Sequence, residues 1–145
     1  RYSDYRMVYE PSGGPLRVRA DRTKIYEILS NLIRNAVAHS KEGGRITVTS
    51  KPSDGFAVIG VRDEGAGIDP AVFPRLFTKF ATKNGTGLGL YISKNYVEAQ
   101  GGRIWAENNP DGGATFTFTL PLVAQDRSPP PSGAASGGSD EGTTP

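Results

Sequence analysis

Apolar residues in the first third of the chain recur every three or four positions, a spacing typical of an amphipathic helix. The pattern begins after Asp21, a residue type that favours helix N-caps, and continues to about His39, shortly before the glycines Gly43 and Gly44. It predicts a long helix with one buried stripe, formed by Ile25, Ile28, Leu29, Leu32, Ile33, Ala36 and Val37.

Alternating or uniformly apolar runs predict strands on both sides of this helix. Two short extended segments precede it, and two hairpins follow it. In the last strand Phe116, Phe118 and Leu120 alternate with threonines, so one face of that strand is expected to enter a core. The predicted strands cover residues 5–9, 16–20, 45–50, 56–62, 103–107 and 114–120.

The segments between the hairpins have less regular patterns. Residues 63–68 read as a glycine-rich loop, and Asp69, which proline follows, is typical of the cap of a short helix over 71–76. Residues 79–84 lack an apolar period and are expected to be mobile, whereas 88–100 read as a second helix. Grouped strands with helices stacked on one face predict an α+β two-layer sandwich.

Composition narrows the class of protein. The chain has 145 residues, no cysteine and one histidine, which suits one domain without disulfides or a multi-histidine metal cluster. Its net charge of +2 is too small to indicate a nucleic-acid partner. No apolar run is long enough to span a bilayer, so direct membrane contact is not expected.

The composition changes near the end of the chain. Residues 128–145 are rich in proline, glycine and serine and contain no large apolar residue, so they cannot bury enough surface to offset the entropy of ordering. We therefore expect a folded domain over 1–123 and a disordered tail over 124–145. Because the chain does not begin with methionine, it is expected to be part of a longer protein.

Polar side chains also recur on the long helix. Asn31, Asn35 and His39 follow one another at four-residue spacing and so share one face. Amide oxygens are hard ligands that suit Mg²⁺, which is usually bound by few protein groups together with water and phosphate. The alternative is that these residues are solvated surface side chains.

A glycine-rich stretch precedes the second helix. In Asn84-Gly85-Thr86-Gly87-Leu88-Gly89-Leu90 the glycines leave backbone N–H groups uncovered near a helix start, which favours anion binding. The stretch therefore predicts a phosphate cradle, with a simple surface loop as the alternative.

Asp63 follows an apolar strand and precedes Gly65 and Gly67. A carboxylate at the base of a pocket needs a hydrogen-bond donor, and the exocyclic amine of adenine would supply one. The alternative is a turn in which Asp63 binds a nearby backbone N–H.

Four segments in this order resemble the N, G1, F and G2 boxes of the catalytic and ATP-binding domain of sensor histidine kinases. They begin at Asn31 (Asn-Leu-Ile-Arg-Asn-Ala), Asp63 (Asp-Glu-Gly-Ala-Gly-Ile), Leu76 (Leu-Phe-x-x-Phe) and Gly85 (Gly-Thr-Gly-Leu-Gly-Leu). The resemblance covers roughly residues 5–123. It implies the Bergerat fold of the GHKL superfamily, a mixed sheet with helices on one face and an ATP lid.

The same resemblance implies ATP and Mg²⁺ as cofactors and assigns the site. Asn35 would coordinate Mg²⁺, Asn31 would face the phosphates, and Asp63 would bind the adenine amine directly and through a water near Thr115. The implied nucleotide-binding set is Asn31, Asn35, His39, Asp63, Gly65, Gly67, Ile68, Phe80, Lys83, Gly85, Thr86, Gly87, Leu88, Gly89 and Thr115. The implied catalytic residues are Asn31, Asn35, Lys79 and Lys83.

Two positions depart from the pattern of many such kinases. Ala38 stands where those relatives have lysine, and Thr82 stands where they have arginine after the F box. The cation that meets the phosphates is therefore open, with Lys79, Lys83 and His39 as the candidates.

The resemblance implies transfer of the γ-phosphoryl group to a histidine on a separate dimerisation and phosphoacceptor hairpin, within a two-component phosphorelay. Hydrolysing relatives have glutamate where this chain has Asn31, whose amide cannot act as a general base. His39 is not expected to be the acceptor, because these kinases carry the acceptor on the upstream hairpin. The alternatives are a serine/threonine kinase of the anti-sigma-factor type and a degenerate nucleotide-binding module.

The resemblance also implies the protein's partners. They are the hairpin of the same kinase and, indirectly, a response regulator. The fragment is expected to be monomeric and cytoplasmic, within a homodimeric parent that can be membrane-anchored.

Overall fold

Five strands form one mixed sheet in the computed structural model, which describes residues 6–40, 43–79 and 87–123. The spatial order is β1-β2-β3-β5-β4, in which β1 runs parallel to β2 and the other neighbours are antiparallel. The strands are β1 (Arg6–Pro11), β2 (Arg45–Ser53), β3 (Phe56–Arg62), β4 (Ile104–Asn108) and β5 (Ala114–Pro121). This sheet confirms the predicted α+β fold.

The long predicted helix is α1, Arg22–His39. The side chain of Asp21 accepts a hydrogen bond from the backbone N–H of Thr23 at 2.8 Å, so Asp21 caps the helix as predicted. At the other end Ser40 is extended, with φ −96° and ψ 158°, and this stops the helical turns. The glycine-rich stretch opens the second helix, α2, Gly87–Ala99.

Both helices and one face of the sheet enclose the core. Phe116 and Phe118 of β5 are fully buried, and Leu32 of α1 and Val97 of α2 belong to the same cluster. The threonines between the aromatic residues of β5 point to the other face. Alternation along β5 therefore decides which face of the central strands carries α1 and α2.

Two predicted elements differ from the structure. Residues 16–20 form no strand, and within them Val18 makes only an isolated bridge to Leu122. The short helix is a 3₁₀ helix, Pro70–Arg75. Pro74 lies inside it and has no N–H to donate, which keeps the helix short.

Some predictions fall on residues that the structure does not describe. Phe80, Lys83, Gly85 and Thr86 lie outside the described residues, as do residues 124–145 of the predicted tail. Within the described ranges, neither helix has the length and apolar character that a bilayer span requires.

Candidate functional site

Asn31 lies where α1 meets α2. Its Nδ2 donates to the backbone oxygen of Gly89 and to Oγ of Ser93, both at 3.3 Å. A Cβ atom on Gly89 would come within 3.1 Å of the Asn31 amide, so the absence of a side chain at Gly89 permits this approach. Asn31, the first residue of the predicted amide row, therefore faces the first turns of α2.

Arg34 places a cation beside Asn31. Its Nη2 donates to Oδ1 of Asn31 at 2.5 Å, across the three-residue spacing that brings side chains together on a helix. Arg34 is exposed, and no ion pair joins it to a carboxylate within the described residues, whereas Arg45 pairs with Glu64 at 3.9 Å. Sequence analysis missed Arg34, although its spacing from Asn31 was a signal for it.

Asn35, one turn further along, has an unsatisfied amide. Its Nδ2 is buried and has no hydrogen-bond partner among the residues that the structure describes, which is costly for a polar atom unless a ligand or water supplies one. No group of three or more histidine, cysteine or acidic residues within the described part could hold a metal. The amide oxygen of Asn35, rather than Nδ2, is the atom that would hold Mg²⁺, which takes few protein ligands and completes its shell with water and phosphate oxygens.

His39 continues the row, but one of its ring nitrogens is used locally. Nδ1 lies 3.0 Å from the backbone oxygen of Asn35, and because a carbonyl only accepts, Nδ1 is the donor. Only Nε2 then remains for a ligand.

Asp63 is buried immediately after β3, with 1% of its surface exposed. Its Oδ1 accepts hydrogen bonds from the backbone N–H groups of Gly65, at 2.9 Å, and of Ala114, at 3.2 Å. These donors offset the desolvation of the carboxylate. The local turn considered from the sequence is therefore present, and the hydrogen bonds formed within the described residues use Oδ1 rather than Oδ2.

The loop after Asp63 packs directly on its neighbours. A Cβ atom on Gly65 would overlap the backbone oxygen of His39. Gly67 has φ +89°, a conformation that favours glycine, and the next residue, Ile68, is held by both amide atoms of Asn108 at 2.7 and 2.9 Å. The loop is therefore fixed between the end of α1 and β4.

Thr115 is linked to Asp63 through a residue that sequence analysis did not identify. Oγ1 of Thr115 donates to Oδ1 of Asn109 at 2.6 Å, and Nδ2 of Asn109 donates to the backbone oxygen of Asp63 at 3.2 Å. Asn109 is 9% exposed. Nothing in the sequence around Asn109 distinguished it from an ordinary turn residue.

Lys79 lies near α2 and is the last described residue before position 87. Its Nζ is 5.7 Å from the centre of the Tyr91 ring, which is a cation–π distance. Phe77, two residues earlier, packs edge-to-face on Phe116 with ring centres 6.2 Å apart. Phe77 therefore anchors this segment to the core.

The start of α2 exposes apolar side chains beside this site. Leu88 and Ile92 are 50% and 48% exposed and lie one helical turn apart. Adjacent exposed apolar residues of this kind favour contact with another protein surface.

A sequence model of the histidine kinase-, DNA gyrase B- and HSP90-like ATPases matches residues 20–124. Sensor protein FixL of Bradyrhizobium diazoefficiens is 48% identical over 111 residues, covering 73% of this chain and 22% of FixL. The chain spans between 15% and 25% of the length of such curated relatives.

Solved structures share the fold. The catalytic domain of histidine kinase ThkA gives a TM-score of 0.75 at 35% identity, covering 81% of this chain and 80% of that chain. ThkA in complex with response regulator protein TrrA gives 0.71 at 33% identity, covering 85% and 36%. Full-length ShkA in complex with AMPPNP gives 0.74 at 30% identity, covering 82% and 26%.

Proposed function

Because the chain belongs to the family of histidine kinase-, DNA gyrase B- and HSP90-like ATPases, we propose that it binds Mg²⁺–ATP and transfers the γ-phosphoryl group to a histidine of a separate helical hairpin. The observation that carries this proposal is the backbone contact between Gly65 and His39, which brings the Asp63 loop against the amide row of α1. Full-length ShkA, which this chain resembles, was solved with the nucleotide AMPPNP.

The proposal assigns separate parts of ATP to separate elements. Oδ2 of Asp63 accepts a hydrogen bond from the adenine amine, because the backbone N–H groups of Gly65 and Ala114 donate to Oδ1. Asn31 and Arg34 meet the phosphates, and the N-terminal turn of α2 contributes its N–H groups. Asn35 holds Mg²⁺, which when bound neutralises part of the phosphate charge.

Phosphoryl transfer depends mostly on positioning and electrostatic stabilisation. The cationic fork of Arg34 suits this role because guanidinium binds phosphate oxygens in pairs. Asn31 cannot take a proton from water at neutral pH, which favours transfer to a protein side chain over hydrolysis. In this proposal His39 faces the nucleotide through Nε2, because its Nδ1 donates to the backbone of α1.

The acceptor has to dock beside the γ-phosphate, and the exposed apolar side chains of Leu88 and Ile92 support docking on the surface that they form. We assign that surface to the phosphoacceptor hairpin of the same kinase, and a response regulator then takes the phosphoryl group from the hairpin. The similar kinase ThkA was solved in complex with a response regulator protein.

The remaining assignments follow from this function. Residues 1–123 form the catalytic domain and 124–145 a tail, and the domain acts in the cytoplasm, where ATP is available. It is a monomer as a separate piece and part of a homodimer in the parent kinase.

The test is phosphoryl transfer in trans. The chain is incubated with radiolabelled ATP, Mg²⁺ and a separately expressed phosphoacceptor hairpin of a sensor histidine kinase such as FixL. Acid-labile, alkali-stable label on the hairpin histidine is expected, and it should be absent with a hairpin in which that histidine is glutamine. Acid-stable label on serine or threonine would favour the anti-sigma-factor type of kinase, and nucleotide binding without any transfer would contradict the proposal.

A further inference from the structure

An apolar cavity of about 210 Å³ lies between the sheet and the N-terminal half of α1. It is separate from the proposed nucleotide site, because its α1 residues are Ile25 and Leu29 and the nucleotide residues lie in the C-terminal half. Its other walls include Leu16 and Val18 before α1 and Ile59 and Phe118 from the sheet.

The size and lining of the cavity suit a small organic molecule. An empty cavity of about 150 Å³ lined by leucine, isoleucine and phenylalanine stays dry and binds benzene. The present cavity is larger, and no charged residue of the described part lines it, so a charged ligand would lose its hydration without compensation. The lining therefore selects a neutral ligand.

A pair of hydroxyl groups stands among the apolar side chains. The hydroxyl of Tyr9 and Oγ of Ser50 are 3.0 Å apart, and both residues line the cavity. One of the two protons is used in their mutual hydrogen bond, which leaves the other proton and several lone pairs for a ligand. Tyr9 is 62% exposed, so this pair lies at the rim.

The cavity walls are held by long-range contacts. Val18 bridges to Leu122, and the backbone N–H of Val123 donates to the oxygen of Arg17 at 2.8 Å. The floor is rigid as well, since Ala57, Phe118 and Leu120 are at most 2% exposed. A ligand would therefore enter a preformed space and bury aliphatic surface that is now in contact with solvent.

We propose that this cavity binds a small neutral aromatic molecule that carries one hydroxyl or amine group. The ring packs between Ile59 of the sheet and the aliphatic side chains of α1, and the polar group bonds to the Tyr9–Ser50 pair. The site stands independently of the proposed function. α1 also carries Asn31 and Asn35. Any change that the ligand causes in the affinity for a nucleotide is therefore matched by an equal change that the nucleotide causes in the affinity for the ligand.

The test is a titration of the 145-residue chain with phenol and with toluene, followed by NMR chemical shifts. Both probes are expected to give saturable shifts at Val18, Leu29 and Phe118, with a Kd of about 1 mM or tighter. Tyr9→Phe should weaken the binding of phenol by about 2- to 10-fold and leave the binding of toluene unchanged. Shifts that do not saturate, or equal losses for both probes, overturn the proposal.

A second comparison fills the cavity. Ala57→Leu places extra volume in the cavity and should abolish the binding of both probes, whereas Val58→Leu enlarges a side chain on the opposite face of β3 and should not. If Ala57→Leu does not fold, Leu29→Phe serves the same purpose from α1. Undiminished binding by a folded filling variant overturns the proposal, as do nuclear Overhauser contacts from residues 124–145 into the ligand-free cavity, which would make the occupant a segment of the chain itself.

Discussion

Gly65 and His39 touch backbone to backbone: a Cβ atom on Gly65 would overlap the carbonyl oxygen of His39. This contact joins the loop after β3 to the last turn of α1. It sets the distance between Asp63 and the amide row that includes Asn35. In the proposed function Asp63 binds the adenine end of ATP, and the amide row binds the phosphate end.

Replacement of Gly65 by alanine should disturb both the fold and the site. The new methyl group forces the loop and α1 apart, so we expect the free energy of unfolding in urea to fall by about 1–3 kcal/mol. ATP affinity, measured by calorimetry on the fraction that remains folded, should fall as well. Gly14→Ala is the matched control, because nothing lies within 4 Å of a Cβ atom there. Equal behaviour of the two variants would show that the contact does not matter.

Asn35→Ala should remove Mg²⁺-dependent ATP binding without loss of stability. The buried Nδ2 of Asn35 makes no hydrogen bond within residues 6–40, 43–79 and 87–123, so its removal costs the fold little. We expect ATP affinity in Mg²⁺ to fall by about tenfold or more, by calorimetry. Asn95→Ala, at an exposed position of α2, should change neither quantity. An unchanged affinity of Asn35→Ala would contradict the assignment of the metal.

Asp63→Asn should change which base is preferred. The asparagine oxygen can still accept from Gly65 and Ala114, which turns its amide N–H group toward the base. That group repels the adenine amine and suits the guanine oxygen, so the preference for ATP over GTP should fall by about tenfold. Asp69→Asn is the control, since Asp69 caps a different segment through Ala71 at 3.0 Å. Competition by GTP at the wild-type level in Asp63→Asn would be inconsistent with an adenine contact.

Local patterns predicted much of this molecule. The buried stripe of α1 and the alternation along β5 depend on nearby residues alone, so their positions were confirmed, and so was the family implied by the four motifs. The order of strands, with β5 between β3 and β4, depends on long-range pairing that periodicity does not encode. The strand predicted over 16–20 was wrong for the same reason, because alternation cannot show whether a partner edge is available.

The site shows the same division. Asn31, Asn35 and Asp63 stand in recognisable motifs, whereas Asn109 acquires its position only when β5 folds beside β3. The three-residue spacing of Arg34 from Asn31 permits a contact, but a charged residue on a helix is usually solvated, so the sequence does not show that the contact forms.

Ile92→Ser should slow phosphoryl transfer to the acceptor hairpin and leave nucleotide binding unchanged. Ile92 is 48% exposed on α2, so its replacement should leave stability nearly unchanged. Loss of a central apolar contact should slow transfer to the hairpin in trans by about tenfold, while ATP affinity stays constant. Tyr26→Ser, at a 71% exposed position on α1, is the control for lost surface hydrophobicity. If both variants transfer at the wild-type rate, the hairpin docks elsewhere.

Arg34→Met should lower the preference for ATP over ADP. The guanidinium of Arg34 lies on the oxygen of Asn31 and is exposed, so methionine keeps most of the side-chain packing and removes the charge. If this charge meets the terminal phosphate, ATP affinity should fall by about tenfold or more while adenosine binds as before. Arg34→Lys should recover part of the loss but not the paired hydrogen bonds. Arg22→Met, at the exposed first residue of α1, removes an equal charge away from the site and should shift ATP and ADP alike. An ATP-to-ADP ratio in Arg34→Met that matches the Arg22→Met control would exclude Arg34 as the phosphate cation and return that role to Lys79, Lys83 or His39.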